Sequence, residues 1–175
     1  MDKNIYFLRL AKEVSKASKC LSRKIGSVLV KDGTIISTGY NGPPRGVKHC
    51  DERTIEFFEA LDNQRSRIRV LAENGVCPRR YMGYKSGEGL HLCSASHSER
   101  NAILQAARNG ISTLNTEIYC YCTLPCLQCS VEIINSGIKK IICLEGNDYD
   151  KYSRIILTET NIEIVQIDKE LIDAA

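Results

Sequence analysis

A chain of 175 residues with 43% hydrophobic and 26% charged residues is long enough for one substantial core and has the composition of a globular domain. Its net charge of +3 is too small to indicate a nucleic-acid-binding surface, and no segment approaches the ~18 apolar residues of a membrane span. Nine cysteines in a chain without a signal-peptide pattern favour core thiols or metal ligands over disulfides and predict a cytoplasmic protein.

The first part of the chain predicts a helix, a hairpin and a loop. Apolar residues at helical spacing between residues 3 and 19 predict an amphipathic helix. Two β-branched runs, Ile25 to Val30 and Thr34 to Thr38, flank Asp32-Gly33, which is typical of a type I′ turn. The residues from Asn41 to Gly46 are rich in proline and glycine and predict a loop.

Residues 51 to 90 differ from the rest of the chain. Their first part is helix-like, and the part that follows is polar, contains glycine and lacks periodicity. We therefore expect a single domain spanning residues 1 to 175 with an insertion at about 51 to 90. The basic stretch from Arg65 to Arg69 is expected to be the solvated face of a helix, with a nucleotide effector or a subunit contact as the alternative.

Helices and strands alternate after the insertion. The pattern predicts helices at about 97–109, 125–136 and 151–160, and strands at about 116–123, 138–144 and 162–167. Three cysteines in these strands are expected to be small buried core residues: Cys120, Cys122 and Cys143. A helix, a hairpin and then alternating elements predict an α/β fold, in which a mixed five-stranded sheet lies between helices on both faces.

Three residues form a candidate metal site. Cys126 and Cys129 lie three residues apart directly after Pro125. Proline is favoured in the first turn of a helix, so both thiols are expected on one face of that turn. His97, at the start of another predicted helix, supplies a third ligand. Three nitrogen and sulfur ligands with one open position are typical of a catalytic zinc site.

Glu99 follows His97 by two residues, which separates their side chains by about 200° in a regular helix. Both can meet at one point only where the backbone is not yet helical, and Ser94 or Ser96 would cap that helix entrance. A carboxylate beside an open zinc position can act as general base and acid. The alternative is a structural zinc knuckle, which would have no need of this carboxylate.

Three stretches resemble the deoxycytidylate (dCMP) deaminase family of the zinc-dependent cytidine deaminase superfamily. They are SKCLSRKIGSVLVKDGTIISTGYNGPP, HSERNAILQAARNG, and PCLQC followed by INSGIKKII, within a region from about Lys19 to Ile167. The block ending in STGYNGPPRG is the discriminating one, because other deaminases share the catalytic motifs. Ser98 stands where the family usually has alanine, and the segment before Pro125 is one residue longer, which predicts a bulge.

The resemblance implies a cytidine deaminase-like three-layer α/β/α sandwich and a hydrolase that converts dCMP into dUMP and ammonia for thymidylate synthesis. It implies zinc bound by His97, Cys126 and Cys129, with Glu99 moving protons while water attacks carbon 4 of cytosine. The alternatives are deamination of another nucleotide, nucleoside or base, and a non-catalytic zinc-binding module.

Two substrate contacts follow from the resemblance. Asn41 matches an asparagine expected to hold the deoxyribose. Tyr121 is assigned to the base pocket, with Tyr119 as its alternative, although aromatic residues in strands more often belong to the core.

The phosphate and effector contacts also rest on the resemblance. Lys24 falls at a basic position expected near the 5′-phosphate, where Arg23 or Arg45 would serve equally well. The family is typically homohexameric, with dCTP and Mg²⁺ as activator and dTTP as inhibitor.

Four further cysteines suggest a second, structural zinc of the kind that some family members carry: Cys20, Cys50, Cys77 and Cys93. Cys20 and Cys50 fall at places that match the structural zinc site of those family members. Cys77 and Cys93 would complete a tetrahedral set, with His49 or His91 as substitutes. A metal would order a segment that cannot bury much apolar surface.

Overall fold

The computed structural model describes residues 2–52, 77–81, 83–85, 87–148 and 150–174. The chain divides into two compact units. The larger unit comprises Met1–Ser18, Ile25–Asn41 and His97–Ala175, and the smaller comprises Lys19–Lys24 and Gly42–Ser96. The helix predicted early in the insertion and the basic stretch from Arg65 to Arg69 lie outside the described residues.

The elements of the described residues alternate much as expected. In chain order they are α1 (Lys3–Ser15), β1 (Gly26–Lys31), β2 (Thr34–Tyr40), α2 (Pro78–Tyr81), α3 (Ser98–Arg108), β3 (Glu117–Cys120), α4 (Leu127–Asn135), β4 (Lys140–Leu144), α5 (Lys151–Thr158), β5 (Glu163–Ile167) and α6 (Lys169–Asp173), with 3₁₀ turns at Cys50–Glu52 and Leu90–Leu92. Among these described helices, none combines the length and the apolar character needed to cross a bilayer.

The five strands form one mixed sheet in the order β2-β1-β3-β4-β5. β1 pairs antiparallel with both β2 and β3, whereas β3, β4 and β5 run parallel. Asp32 and Gly33 join β1 to β2 with φ values of 49° and 79°, so both central residues have the positive φ that a type I′ turn requires. The predicted hairpin is confirmed.

The bulge predicted before Pro125 is not found in β3. The four residues of β3 pair with β4 in unbroken register, and the strand ends at Cys120. Residues 121–124 follow β3 as bends, although the amide of Tyr121 still donates to the Gly26 carbonyl oxygen and the Cys122 carbonyl oxygen still accepts from Leu144. The register shift in this sheet lies in the hairpin, between Leu29 and Val30 of β1.

Helices cover both faces of the sheet. On one face, buried side chains of α3, α4 and α5 form a core with the strands, including Ala102, Ile133 and Leu157. On the other face, α1 and α6 contribute Phe7 and Ile172 to a second core. These two cores confirm the predicted three-layer sandwich with its mixed five-stranded sheet. The short helix α6 was not predicted, because five residues carry little periodicity.

Gly39 lets α3 lie directly on β2. A Cβ atom at this position would overlap the carbonyl oxygen of Ser98 and the amide nitrogen of Ala102. Ser37 Oγ donates to the carbonyl oxygen of Ala102, in the following turn of α3, at 2.8 Å. The close approach at Gly39 brings the first turn of α3, which carries the candidate site, directly against the sheet.

The smaller unit joins its parts by polar contacts. Gly42 and Ser96 exchange two backbone hydrogen bonds of 3.1 and 2.8 Å. Arg80 Nε donates to Ser22 Oγ at 3.4 Å, which connects α2 to the segment 19–24.

Candidate metal centre

Two helix N-termini bring His97, Cys126 and Cys129 together. His97 is the N-cap of α3, Cys126 is the N-cap of α4, and Cys129 lies in the first turn of α4. The Nδ1 atom of His97 lies 3.4 Å from Cys126 Sγ and 3.3 Å from Cys129 Sγ. One ligand atom from each residue lies within 4.8 Å of the others. The structure therefore assembles the triad that was predicted from the sequence.

The extended backbone of His97 lets its side chain and that of Glu99 share one site. His97 has φ −74° and ψ 158°, so the regular helix begins only after it. This confirms that His97 lies at the helix entrance. The predicted capping by Ser94 or Ser96 is wrong, because His97 itself occupies the N-cap position and makes no side-chain capping hydrogen bond.

The helix after Pro125 begins later than expected. Cys126 is extended, with φ −67° and ψ 166°, and α4 starts at Leu127, so Pro125 precedes the N-cap and does not occupy the first turn. The amide of Leu127 donates to Asp150 Oδ2 at 3.2 Å. Both thiols still lie at the N-terminal end of α4, where the partial positive charge of the helix favours thiolates.

The triad fits a zinc ion. One imidazole nitrogen and two thiol sulfurs are donors that Zn²⁺ prefers, and tetrahedral bond lengths place sulfur and nitrogen about 3.6 Å apart. The observed separations of 3.4 and 3.3 Å are close to this value. Three protein ligands would leave the fourth position open to water or substrate.

Protons occupy part of this site when no metal is bound. The pKa of Cys126 is lowered, mainly by a hydrogen bond from Cys129 and also by its contact with His97. The pKa of Cys129 is raised by the same shared hydrogen bond and by burial. The pKa of His97 is raised because its ring bonds to the Cys126 sulfur. Cys129 therefore keeps a proton that a zinc ion would have to displace.

Glu99 is a buried carboxylate two residues after the histidine. It is only 4% exposed. Its Oε2 atom accepts a hydrogen bond of 2.9 Å from Ser98 Oγ, and its Oε1 atom lies 3.9 Å from Cys122 Sγ. Ser98, which stands where the family usually has alanine, and Cys122, which was expected to be a core residue, both contact the carboxylate.

An ion pair between α3 and α4 also escaped sequence reasoning. Arg100 Nε donates to both carboxylate oxygens of Glu132, at 2.8 and 2.9 Å, and Arg100 Nη2 lies 2.7 Å from Oε1. The pair raises the pKa of Arg100, and the nearby cysteine sulfurs act in the same direction. This bidentate contact connects the two helices whose N-termini carry the triad.

The structure does not bring Tyr121 to the triad. The hydroxyl of Tyr121 donates to Asp173 Oδ1 at 2.9 Å, and its ring packs in the core beneath α1 and α6. Tyr119 packs in the same core, whereas Cys122 and Glu99 meet on the other face of the sheet. This separation follows from the alternation of side chains along a strand.

Asn41 and Lys24 have different surroundings. Asn41 is buried, and its Oδ1 accepts a hydrogen bond of 2.8 Å from the amide of Ile25. Lys24 is exposed and belongs to the smaller unit. Their assignments to the deoxyribose and the phosphate stay predictions.

The second zinc site also stays a prediction. Within the described ranges, one group of three ligand residues has its ligand atoms within 4.8 Å of one another, and it is the triad of His97, Cys126 and Cys129. The four cysteines assigned to the second site are partly buried but do not form a group this compact within those ranges: Cys20, Cys50, Cys77 and Cys93.

An α/β/α sandwich with a His-Cys-Cys triad and an adjacent buried carboxylate is the arrangement of the zinc-dependent nucleobase deaminases. A family model described as the cytidine and deoxycytidylate deaminase zinc-binding region matches residues 1–145. The chain belongs to this family.

Named relatives agree with the family model. The deoxycytidylate deaminase of Enterobacteria phage T2 is 37% identical over 173 residues, which cover 93% of this chain and 90% of the phage protein. The deoxycytidylate deaminase of Schizosaccharomyces pombe is 33% identical over 161 residues, which cover 92% of this chain but 42% of the yeast protein. The chain thus spans less than half the length of this yeast relative.

A solved structure shows the same fold. The crystal structure of dCMP deaminase from the cyanophage S-TIM5 in apo form matches with a TM-score of 0.64 at 21% identity, covering 94% of this chain and 96% of that chain.

Zinc binding is expected to weaken as the pH falls. The proton on Cys129 must leave before zinc binds, and the raised pKa of His97 adds a second competing proton at lower pH. The affinity should fall by roughly tenfold per pH unit for each proton displaced. Competition with a chromogenic chelator at about pH 6 and about pH 8 measures this change. An affinity that is equal at both values would contradict it.

Proposed function

We propose that this chain catalyses the zinc-dependent hydrolytic deamination of dCMP to dUMP and ammonia, which supplies dUMP for thymidylate synthesis. The observation that carries the proposal is the buried carboxylate of Glu99 beside a triad that would leave one zinc position open. A zinc ion used only for structure would need a fourth protein ligand. It would not need a neighbouring carboxylate.

Glu99 would move the protons that the reaction requires. It would take a proton from the attacking water and deliver it to ring nitrogen 3 of cytosine, as the water oxygen bonds to carbon 4. The bond from carbon 4 to the amino nitrogen then breaks, and the nitrogen leaves as ammonia with the second proton of the water. When bound, zinc would act as a Lewis acid that makes water acidic enough to react at neutral pH.

The choice of dCMP rests on the relatives. The phage T2 protein is named a deoxycytidylate deaminase and matches nearly the whole of this chain. A second S-TIM5 structure, described as a complex with dCMP and dUMP, has a TM-score of 0.64 to this chain. These names support a deoxynucleoside monophosphate as the substrate.

Substrate contacts are proposed from the family resemblance. Asn41 would hold the deoxyribose and Lys24 the 5′-phosphate, with Arg23 or Arg45 as substitutes for the lysine. Tyr121 was assigned to the base pocket, but its hydroxyl is bonded to Asp173 and gives this assignment no support.

A substrate panel tests the proposed function. Zinc-loaded protein is assayed with dCMP, CMP, dCTP, deoxycytidine and guanine, and its zinc is counted by atomic spectroscopy. We expect the highest kcat/KM with dCMP, because relatives that act on this nucleotide align over most of the chain. Faster turnover of another substrate would indicate a different deaminase. Stoichiometric zinc without any turnover would indicate a non-catalytic zinc module.

Assembly and regulation remain predictions of the resemblance. A homohexamer, activation by dCTP with Mg²⁺, inhibition by dTTP and a cytoplasmic location are all expected on that basis. The zinc count also tests the second site, since a value near two per chain would support a structural zinc at the four further cysteines.

A further inference from the structure

Buried hydroxyl groups connect the sheet to Glu99. Ser27 in β1 and Ser98 at the first position of α3 are both 0% exposed. Their Oγ atoms lie 2.8 Å apart, and Ser98 Oγ lies 2.9 Å from Glu99 Oε2. Because water does not reach these groups, each hydroxyl depends on protein neighbours for hydrogen bonding, and Ser27 also contacts the thiol of Cys120.

The direction of these hydrogen bonds follows from the number of protons. A hydroxyl carries one proton, and an ionised carboxylate can only accept. Ser98 donates its proton to Glu99, so it must accept from Ser27. The bonds therefore run from Ser27 through Ser98 to Glu99, and each bond in such a series strengthens the next.

Ser27 lies in an otherwise apolar part of β1. The residues that follow it, Val28, Leu29 and Val30, are buried core residues. A hydroxyl in such a strand costs free energy unless it is hydrogen-bonded. β1 lies between β2 and β3, so Ser27 is held by strands on both sides and provides a rigid anchor.

We propose that Ser98, anchored by Ser27, is a positioning residue that holds Oε2 of Glu99 and leaves Oε1 to carry the proton. Oε1 faces the thiol of Cys122 at 3.9 Å, and a thiol is a weak donor. A carboxylate free to rotate would present its oxygens in varied positions, and small misplacements of a catalytic group cost much rate. This inference rests on the proposed function, because it assigns a role within that reaction.

Single and double alanine variants test the proposal. Ser98→Ala is expected to lower kcat about tenfold, the effect of one hydrogen bond to a charged group, with unchanged KM and zinc content. Ser27→Ala should lower kcat less, because Ser98 can still donate to Glu99. The double variant should lose little more than Ser98→Ala, because the hydrogen bonds from Ser27 toward Oε2 of Glu99 pass through Ser98.

Ser37→Ala provides the matched control. This substitution removes a different buried hydroxyl group, which donates a hydrogen bond to the carbonyl oxygen of Ala102 in α3. That hydrogen bond does not involve Glu99. We expect it to lower Tm as Ser98→Ala does while kcat stays at the wild-type value.

Three results would overturn the proposal. One is a wild-type kcat in Ser98→Ala, and another is independent losses that multiply in the double variant. The third is an equal loss of kcat in Ser37→Ala, which would indicate that the hydroxyls only stabilise α3. The proposed function itself fails if zinc-loaded wild-type protein deaminates no substrate. That result is distinguishable from the three above, and it would also overturn this inference.

Discussion

Glu99→Gln is expected to lower kcat for dCMP deamination by about 10³-fold, with zinc content and Tm unchanged. Glutamine has the shape of glutamate, and its amide oxygen can still accept the hydrogen bond from Ser98. The amide cannot take a proton from water or give one to the base. Because Glu99 is only 4% exposed, buffer bases would reach the site poorly and restore little of the rate. Steady-state assays with zinc-matched samples measure the loss.

Glu163→Gln makes the same chemical change at a site remote from the triad. Glu163 lies on β5, where its exposed side chain pairs with Lys140 at 2.8 Å. This exposed ion pair contributes little to stability, and Glu163 is not part of the triad. The variant should therefore keep the wild-type kcat. A Glu99→Gln protein with kcat within about tenfold of wild type would exclude proton transfer by this carboxylate.

Much of the site could be predicted because its signals are local in the sequence. His97 and Glu99 are two residues apart, and Cys126 and Cys129 are three apart. The cysteine spacing places both thiols at one helix start, and His97 and Glu99 converge because His97 is the extended residue just before its helix. The exact helix starts were less certain, because the extended N-cap residues His97 and Cys126 leave no periodic pattern.

The groups that support the site come from distant parts of the chain. Ser27 and Ser98 are separated by 71 residues, and Arg100 and Glu132 by 32. Hydrogen bonds between distant residues leave no periodicity, so their partners appear only when the helices are placed on the sheet. The one available signal for this support was Ser27 itself, because it is a polar residue in a strand whose other residues are typical of a buried strand.

The tyrosine assigned to the base pocket shows a related limit. Alternation along the strand predicts that Tyr119 and Tyr121 share one face and that Cys120 and Cys122 share the other. It does not say which face lies beneath the metal ligands. That choice depends on α3 packing over the face that carries Cys120, a tertiary contact that the sequence pattern does not contain.

Cys129→Ala is expected to remove about one zinc equivalent per chain and nearly all deamination. The variant leaves His97 and Cys126 as the remaining ligands of the triad, too few to hold zinc firmly. Bound zinc stabilises wild-type protein by mass action, so a strong chelator should lower the Tm of wild type through this site. In Cys129→Ala the chelator should have no such effect at the triad. Zinc content and melting curves with and without chelator measure both results.

Cys143→Ala controls for the loss of a buried thiol. Cys143 is 0% exposed and Cys129 is 1% exposed, so both substitutions remove similar buried volume, at a cost of about 1 kcal/mol. Burial raises the pKa of Cys143 to about 12, so this residue remains a neutral thiol at physiological pH and does not compete for the metal. Cys143→Ala should therefore keep its zinc, its chelator-dependent Tm and its turnover. If both variants lost zinc equally, the loss would come from altered packing, and Cys129 would have no specific role as a ligand.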